Sequence, residues 1–333
     1  MKPLVSIIIV NYNGEKYIEE CLKSISEQIY NNIEIVLVDN NSQDSSLKII
    51  EKFQNIKLIK LNHNSYFAEG NNIGVKNSKG EILLLLNNDA YLEKNTIEKI
   101  VDFFEKHKNA GIVQNKIVYA ENPELIDSAG SFMSISGFLI HQNHHGKASK
   151  SNKNHKIFAG KGASLAIRKE ILEKTWLFDS EYKLYFEDTD LCWRSILLGF
   201  DNYLLADALT YHRVTSSTDK STLHVIDFHS FKNRLRSILT NLSPLFLIFV
   251  LPIHLLICLA ISIIFVFKNY KSSLAILKAA SWNILHLNST LKTRKKIQSI
   301  RQVSDFYIFR KYSRIPNPFY IVNFIRFYLI RKS

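Results

Sequence analysis

Leu4-Val5-Ser6-Ile7-Ile8-Ile9-Val10-Asn11-Tyr12-Asn13-Gly14 is an apolar, β-branched run that stops abruptly at polar residues and a glycine. A run of this kind fits a strand buried on both faces, as parallel sheets require. Three more follow within the first 90 residues, at Ile33–Val38, Ile56–Leu61 and Ile82–Leu86. Helix-period segments separate them: in 15–28, Ile18, Cys21, Leu22 and Ile25 share one face, and in 95–107, Ile97, Ile100, Val101 and Phe104 do. This alternation predicts an α/β fold, a mostly parallel, Rossmann-like sheet flanked by helices. Residues 120–155 break the pattern and read as loops and short strands lining a site. Their histidines, His141, His144, His145 and His155, have no recognisable metal-ligand spacing and read as solvated loop residues.

The net charge of +13 suggests nucleic acid until its distribution is considered. Residues 268–333 hold 14 Lys/Arg and a single acid, Asp305, which leaves 29 bases and 29 acids in residues 1–267. The excess follows an uncharged run of 24 residues, Pro244–Phe267, long enough at about 1.5 Å per residue to cross a bilayer core. A basic segment beside such a run fits anionic lipid, not nucleic acid. Lys232, Arg234 and Arg236 precede the run, so both of its flanks carry the positive charge of a cytoplasmic side. A hairpin-like insertion bent near Pro252 reconciles the two flanks. The stretches around Leu274, Leu277, Ile284 and Leu285, and around Phe319, Tyr320, Phe324, Phe327 and Tyr328, read as interfacial. A buried helical subdomain and a polyanion-binding tail are the alternatives. The expected division is 1–236, catalytic, and 237–333, membrane-associated, on the cytoplasmic face of the inner membrane. Cys21, Cys192 and Cys258 are too scattered for a disulfide framework and fit a reducing compartment.

Ligands of open α/β sheets bind beyond the carboxyl ends of the strands. Those ends carry Asn11-Tyr12-Asn13-Gly14, Asp39-Asn40-Asn41-Ser42 and Asn87-Asn88-Asp89. Asp39 can accept the imide proton of a pyrimidine on which Tyr12 stacks, or it can cap the turn into a helix beginning near Ser45. Asp89 follows four leucines and needs a cation, donors or water; a divalent ion bridging a diphosphate suits it, and a helix-entry cap is the alternative. Gly70, after the third strand, permits close approach of backbone to a phosphate or sugar. No Gly-x-Gly-x-x-Gly follows the first strand, which argues against a dinucleotide-dependent oxidoreductase. In Tyr185-Phe186-Glu187-Asp188-Thr189-Asp190, three acids precede a helix, more than capping needs, and one of them suits a general base.

Together with Phe67-Ala68-Glu69-Gly70-Asn71-Asn72, Gly160-Lys161-Gly162-Ala163-Ser164-Leu165-Ala166-Ile167-Arg168 and the stretch from Phe186 to Arg194, these strand ends give the chain a family resemblance. Over residues 4 to about 236 it resembles the inverting family 2 glycosyltransferases of GT-A fold, in their rhamnosyltransferase-like branch. The resemblance implies that Asp39 reads the base, within a donor site of Tyr12, Gly70, Asn71 and Asn88. It implies that Asp89 is the surviving carboxylate of the family's Asp-x-Asp motif, with Asn87 where an aspartate often sits. It makes His212, in Tyr211-His212-Arg213-Val214-Thr215-Ser216-Ser217, a metal or phosphate ligand. Asp188 becomes the catalytic base, supported on the acceptor side by Glu187 and Asp190. The implied cofactor is Mg or Mn, the donor a dTDP- or UDP-sugar, and the acceptor a lipid-linked glycan. Sugar-nucleotide pyrophosphorylase chemistry is the nearest rival but calls for a glycine-rich basic loop after the first strand. A membrane-bound scaffold with a decayed site is the non-enzymatic alternative.

Overall fold

The computed structural model of the chain describes residues 2–214 and 223–316. Thr215, Ser216 and Ser217, and the interfacial stretch expected around 319–332, lie outside the described residues. β1 (Val5–Asn11), β2 (Ile33–Asp39) and β3 (Ile56–Lys60) are laid down side by side, with α1 (Ile18–Ser26) and α2 (Ser46–Ile50) crossing between them. After α3 (Tyr66–Lys76), β4 (Ile82–Asn87) returns to the opposite side of β1. This reversal opens a crevice at the strand ends. β1 pairs in parallel with both neighbours, Asn11 opposite Asp39 and Val10 opposite Asn87, so the polar ends foreseen from sequence meet at one edge.

β5 (Ala90–Leu92), α4 (Thr96–Lys106), β6 (Ala110–Tyr119) and β7 (Ile126–Ser128) follow, then β8 (Ser131–Met133), β9 (Leu139–His141), β10 (His155–Ile157), β11 (Ser164–Arg168) and α5 (Lys169–Lys174). α6 (Glu187–Leu197) leads into β12 (Asp201–His212). The main sheet runs β10-β12-β6-β11-β4-β1-β2-β3, with β11 antiparallel to β4 and β6 and β12 parallel to β6. Ile18, Cys21, Leu22 and Ile25 of α1 and Ile97, Ile100, Val101 and Phe104 of α4 are buried, as their spacing requires.

α3 lies unusually close to β1. A Cβ on Gly74 would meet Ile8 Cγ2 at 2.4 Å, and one on Gly70 would meet Val10 Cγ1 at 2.8 Å. Gly70 is therefore required by packing: its close approach is to β1. Asn71 is buried as well and turns its amide back onto the Phe67 carbonyl.

The C-terminal part consists of α7 (Leu223–Asn241), α8 (Pro244–Val266), α9 (Tyr270–Leu285), α10 (Leu287–Ile300) and α11 (Asp305–Tyr312). The expected boundary at 236/237 falls inside α7. Ile238, Leu242, Val250, Ile297, Ile308 and Tyr312 share one core with Leu83, Leu85 and Trp193, so hydrophobic packing is continuous across that boundary. Nor does the chain reverse at Pro252: α8 continues through it, and the reversal comes at Phe267–Asn269, where Asn269 caps α9 by accepting from Ser272 N.

Ala at position 74 gains helix propensity, yet its methyl has to displace a β-branched side chain held by the sheet. Gly74→Ala is therefore expected to destabilise the protein by about 1–3 kcal/mol. Thermal unfolding checks it, and an unchanged or raised Tm would show that the contact relaxes.

Candidate active site

Asn11 organises the crevice. Fully buried at the end of β1, it donates to Asp39 Oδ1 (2.9 Å), Ser42 Oγ (3.1 Å) and Ser46 Oγ (3.0 Å), and its Oδ1 accepts from Asn88 Nδ2 (2.9 Å). The ends of β1, β2 and β4 are thus tied through one amide. Asp39 accepts from Ser42 N (3.0 Å) and Ser42 Oγ (2.6 Å), so it forms the Asx turn that was one of its two readings. Among the described residues its Oδ2 accepts only the amide of Ser42 and keeps capacity for another donor. Tyr12 stands beside it, 48% exposed and open to stacking.

The second group forms where β12 and β5 pair, His212 opposite Ala90. His212 Nε2 lies 3.2 Å from Asp89 Oδ1, and its Nδ1 lies 2.9 Å from Asp127 Oδ2. Lys161 Nζ completes the chain, 2.8 and 2.7 Å from the two oxygens of Asp127. Burial alone would depress the imidazole, but the bonds to Asp127 and Asp89 outweigh it and raise the His212 pKa. Burial of Asp127 is likewise outweighed, by His212 and Lys161, which hold its carboxyl at about 2. Asp127 sits in β7, inside the stretch read as site-lining, but nothing local in the sequence singles it out. His144 Nδ1 lies 2.7 Å from its carbonyl oxygen, and His155 bonds Gln142.

An imidazole gripped at Nδ1 by a buried carboxylate, with Nε2 turned toward a second carboxylate, is the donor arrangement of a metal-binding histidine. Among the described residues, no group of three or more His, Cys, Asp or Glu is arranged to hold an ion by itself. Asp89 and His212 are thus the two residues that would hold Mg or Mn, an ion that ordinarily takes few protein ligands and completes its shell with other oxygens.

The third group is the N-terminus of α6. Tyr185 (φ 65°) and Phe186 (φ 72°) both adopt the left-handed conformation, uncommon for aromatic residues and a frequent mark of functional sites. They turn Glu187 and Asp188 inward. Asp188 accepts from Gly162 N (2.9 Å) and Thr189 N (2.6 Å). Burial raises its pKa against these two amides. Glu187, 6% exposed, is raised further, by burial first and the Asp188 charge second, and its Oε2 has no hydrogen-bond partner among the described residues. Both neighbouring carboxyls are thus raised, Glu187 the more strongly, while two backbone amides partly offset the effect at Asp188. Asp190 does not face this site. It is bound by Arg194 (2.8 Å), Ser237 (3.1 Å) and Asn241 (2.8 Å), so its expected acceptor-side role is replaced by anchoring of α6 to α7.

Asp127→Asn removes one of the two carboxylates that raise the His212 pKa against burial, leaving Asp89 alone to do so. The His212 pKa is expected to fall below its value in the wild type, as read by NMR titration of the histidine resonances; an unchanged pKa would remove Asp127 from the relay.

The family described as Glycosyl transferase family 2 matches residues 6–176, just over half of the chain. Glycosyltransferase GlyG of Streptococcus pneumoniae serotype 4 is 29% identical over 126 residues, 37% of this chain and 42% of its own length; the chain thus spans less than half of that relative. The crystal structure of S. aureus TarS 1-349 in complex with UDP-GlcNAc superposes with a TM-score of 0.56 at 20% identity, covering 93% of each chain. The mannosyltransferase PcManGT from Pyrobaculum calidifontis, in complex with GDP-Man and Mn2+, gives 0.56 at 17% identity over 90% of this chain and 86% of its own. At such identities these likenesses establish a shared fold. With the strand-end residues in place and the family match running through the stretches that carry Asp39, Asp89 and Gly162, the chain belongs to glycosyl transferase family 2.

Proposed function

We propose that the chain is an inverting glycosyltransferase that moves a sugar from a nucleotide-sugar donor to a hydroxyl of a membrane-borne glycan, at the cytoplasmic face of the inner membrane. The observation that carries this reading is the loop Gly160–Gly162. Lys161 reaches the Asp127–His212–Asp89 chain, and one residue on Gly162 N holds Asp188. An ion-and-diphosphate side and a base side are thereby fixed to one short loop.

Tyr12 and Asp39 hold the base of the donor, and Asn11 and Asn88 keep that wall in place. Asp89 and His212 hold the divalent ion, Mg or Mn, with Asp127 orienting the imidazole. The ion supplies charge neutralisation for the departing nucleoside diphosphate. Asp188 takes the proton of the acceptor hydroxyl as that oxygen attacks the anomeric carbon. One C–O bond forms, the bond to the diphosphate breaks, and the configuration inverts. Glu187 stands beside Asp188, its carboxyl pKa raised by burial and by the Asp188 charge, and supports the acceptor side. No covalent nucleophile is needed; Cys21 and Cys192 are buried and their thiols are pushed up by burial. The relative and the two superposed structures bear names or bound ligands of sugar transfer, which supports a nucleotide-sugar donor. A dTDP- or UDP-sugar fits an Asp39 that reads an imide, and rhamnose follows from the branch resemblance alone. A lipid-linked acceptor is supported by α8, whose length and composition suffice to reach across a membrane. Pyrophosphorylase chemistry is disfavoured by the short, uncharged Asn11–Gly14 turn, and a decayed scaffold by the intact relay.

Gly162 N and Thr189 N bond different oxygens of Asp188, so Asp188→Asn keeps one amide contact and loses the base; transfer is expected to fall at least 100-fold with donor affinity nearly unchanged and a much smaller effect on Tm. Equal losses of Tm and activity would make the segment structural. Because the Asp188 pKa is raised by burial, kcat/KM of the wild type is expected to fall with decreasing pH at a midpoint above the ordinary carboxylate range. Nucleoside diphosphate release measured over a donor panel, with and without excess chelator, identifies the sugar; full turnover in chelator would remove the metal from the proposal.

A further inference from the structure

α8 has two unlike sides along its whole length. Val250, His254, Ile261, Ser262 and Phe265 form a buried stripe spaced by three, four and seven residues. The stripe is seated on protein from end to end. His254 Nδ1 lies 2.9 Å from Ser136 O, the Phe138 ring is 4.8 Å from the imidazole, and Ser262 Oγ is 3.0 Å from Ser273 Oγ of α9. The opposite side consists of Leu245, Ile248, Phe249, Leu256, Leu259 and Ile263, each at least half exposed, up to 68% at Ile248. An apolar ridge about 30 Å long that no described residue covers is far more than single exposed side chains provide.

A helix crossing the bilayer would carry its midpoint into hydrocarbon. Here the midpoint, His254, is fastened to the Ser134–Phe138 turn of the catalytic part, whose polar backbone cannot accompany it there. Leu274 and Leu277 of α9, which packs on α8, and Leu287 and Leu291 of α10, which packs on α7 and α9, are exposed and interleaved in sequence with the exposed Lys271, Lys278, Lys292, Lys295 and Lys296. No Asp or Glu occurs between 244 and 304. Apolar side chains flanked by lysines and free of acids complement an anionic lipid surface, into which lysine stems sink while their ammonium groups stay at the headgroups.

We propose that α8 lies in the plane of an anionic membrane, its Leu245–Ile263 ridge immersed and the lysines of α9 and α10 at the headgroups, and that it does not cross the bilayer. This gives the membrane attachment of the preceding section a definite mode and rests on that attachment. It also joins the lipid surface to the acid-bearing turn. α7 donates Asn233 Nδ2 to the carbonyls of Leu184 and Tyr185 and Asn241 Nδ2 to Asp190, while Asn283 of α9 donates to the Lys232 carbonyl of α7. An acceptor presented at the headgroups thus meets Asp188 on a framework that the same surface holds.

The test uses the full chain with phosphatidylcholine vesicles, with and without phosphatidylglycerol. The wild type is expected to float with anionic vesicles and at least tenfold less with neutral ones. The double variant Leu256→Glu, Ile263→Glu is expected to lose flotation at unchanged Tm. Lys271→Cys in a Cys258→Ser background, bound to sealed vesicles from outside, is expected to react fully with a membrane-impermeant maleimide. Protection of that cysteine would overturn the in-plane mode while leaving attachment standing. Absence of vesicle binding overturns both: a concentration-dependent dimer would then assign the ridge to a second copy, and a monomer would assign it to residues 317–333. Transfer to a soluble acceptor by the double variant separates a failed docking surface from a failed catalytic reading.

Discussion

The site depends on an ion pair that takes no part in the chemistry. Arg194 is completely buried on α6 and donates to Asp190 one turn earlier, to Thr175 Oγ1 and to the carbonyls of Trp176 and Leu177. Asp190 in turn accepts from Ser237 and Asn241 of α7. Removing one partner from a buried pair of this kind costs about 3–5 kcal/mol, since the other charge is left in a low dielectric. The satisfied network instead fixes the first turn of α6 against both the segment 175–177 after α5 and α7. Asp188 can therefore be positioned by two amides alone.

Electrostatics then divides the cavity. On one side, acids and bases alternate through Lys161, Asp127, His212 and Asp89, each cation lying between or beside carboxylates. On the other, two carboxyls adjoin with little but backbone amides to offset them, and their pKa values rise. The first arrangement suits a cation and an anionic leaving group, the second the removal of a proton.

The parallel strands, the facial pattern of α1 and α4 and the polar strand ends were legible because each has a local cause: unbroken β-branched runs, helical spacing, and a switch in strand order that places all such ends together. Asp127 was not legible. It approaches His212 across 85 residues of chain, and a lone aspartate in a polar stretch resembles many others. The packing of Gly70 and the anchoring of Asp190 were not legible for a related reason. A glycine that admits a ligand and one that admits a strand look alike in sequence, as do an acid that faces substrate and one that faces arginine; only the neighbour distinguishes them. Pro252 was expected to bend its helix, but packing against the catalytic part keeps α8 continuous and moves the reversal to Asn269.

The turn Tyr185–Phe186 has a further implication. Two consecutive aromatic residues in the left-handed region store strain of about 1–3 kcal/mol each. What holds them there is Asn233, whose single amide group bonds the carbonyls of Leu184 and Tyr185 from the far side of α7. Every acid of the site lies before residue 213, so the chemistry reads as a portable module that could be cut free or grafted elsewhere. It is not portable: a fragment ending ahead of α7 would keep all the reactive groups and lose the clasp that keeps their turn wound.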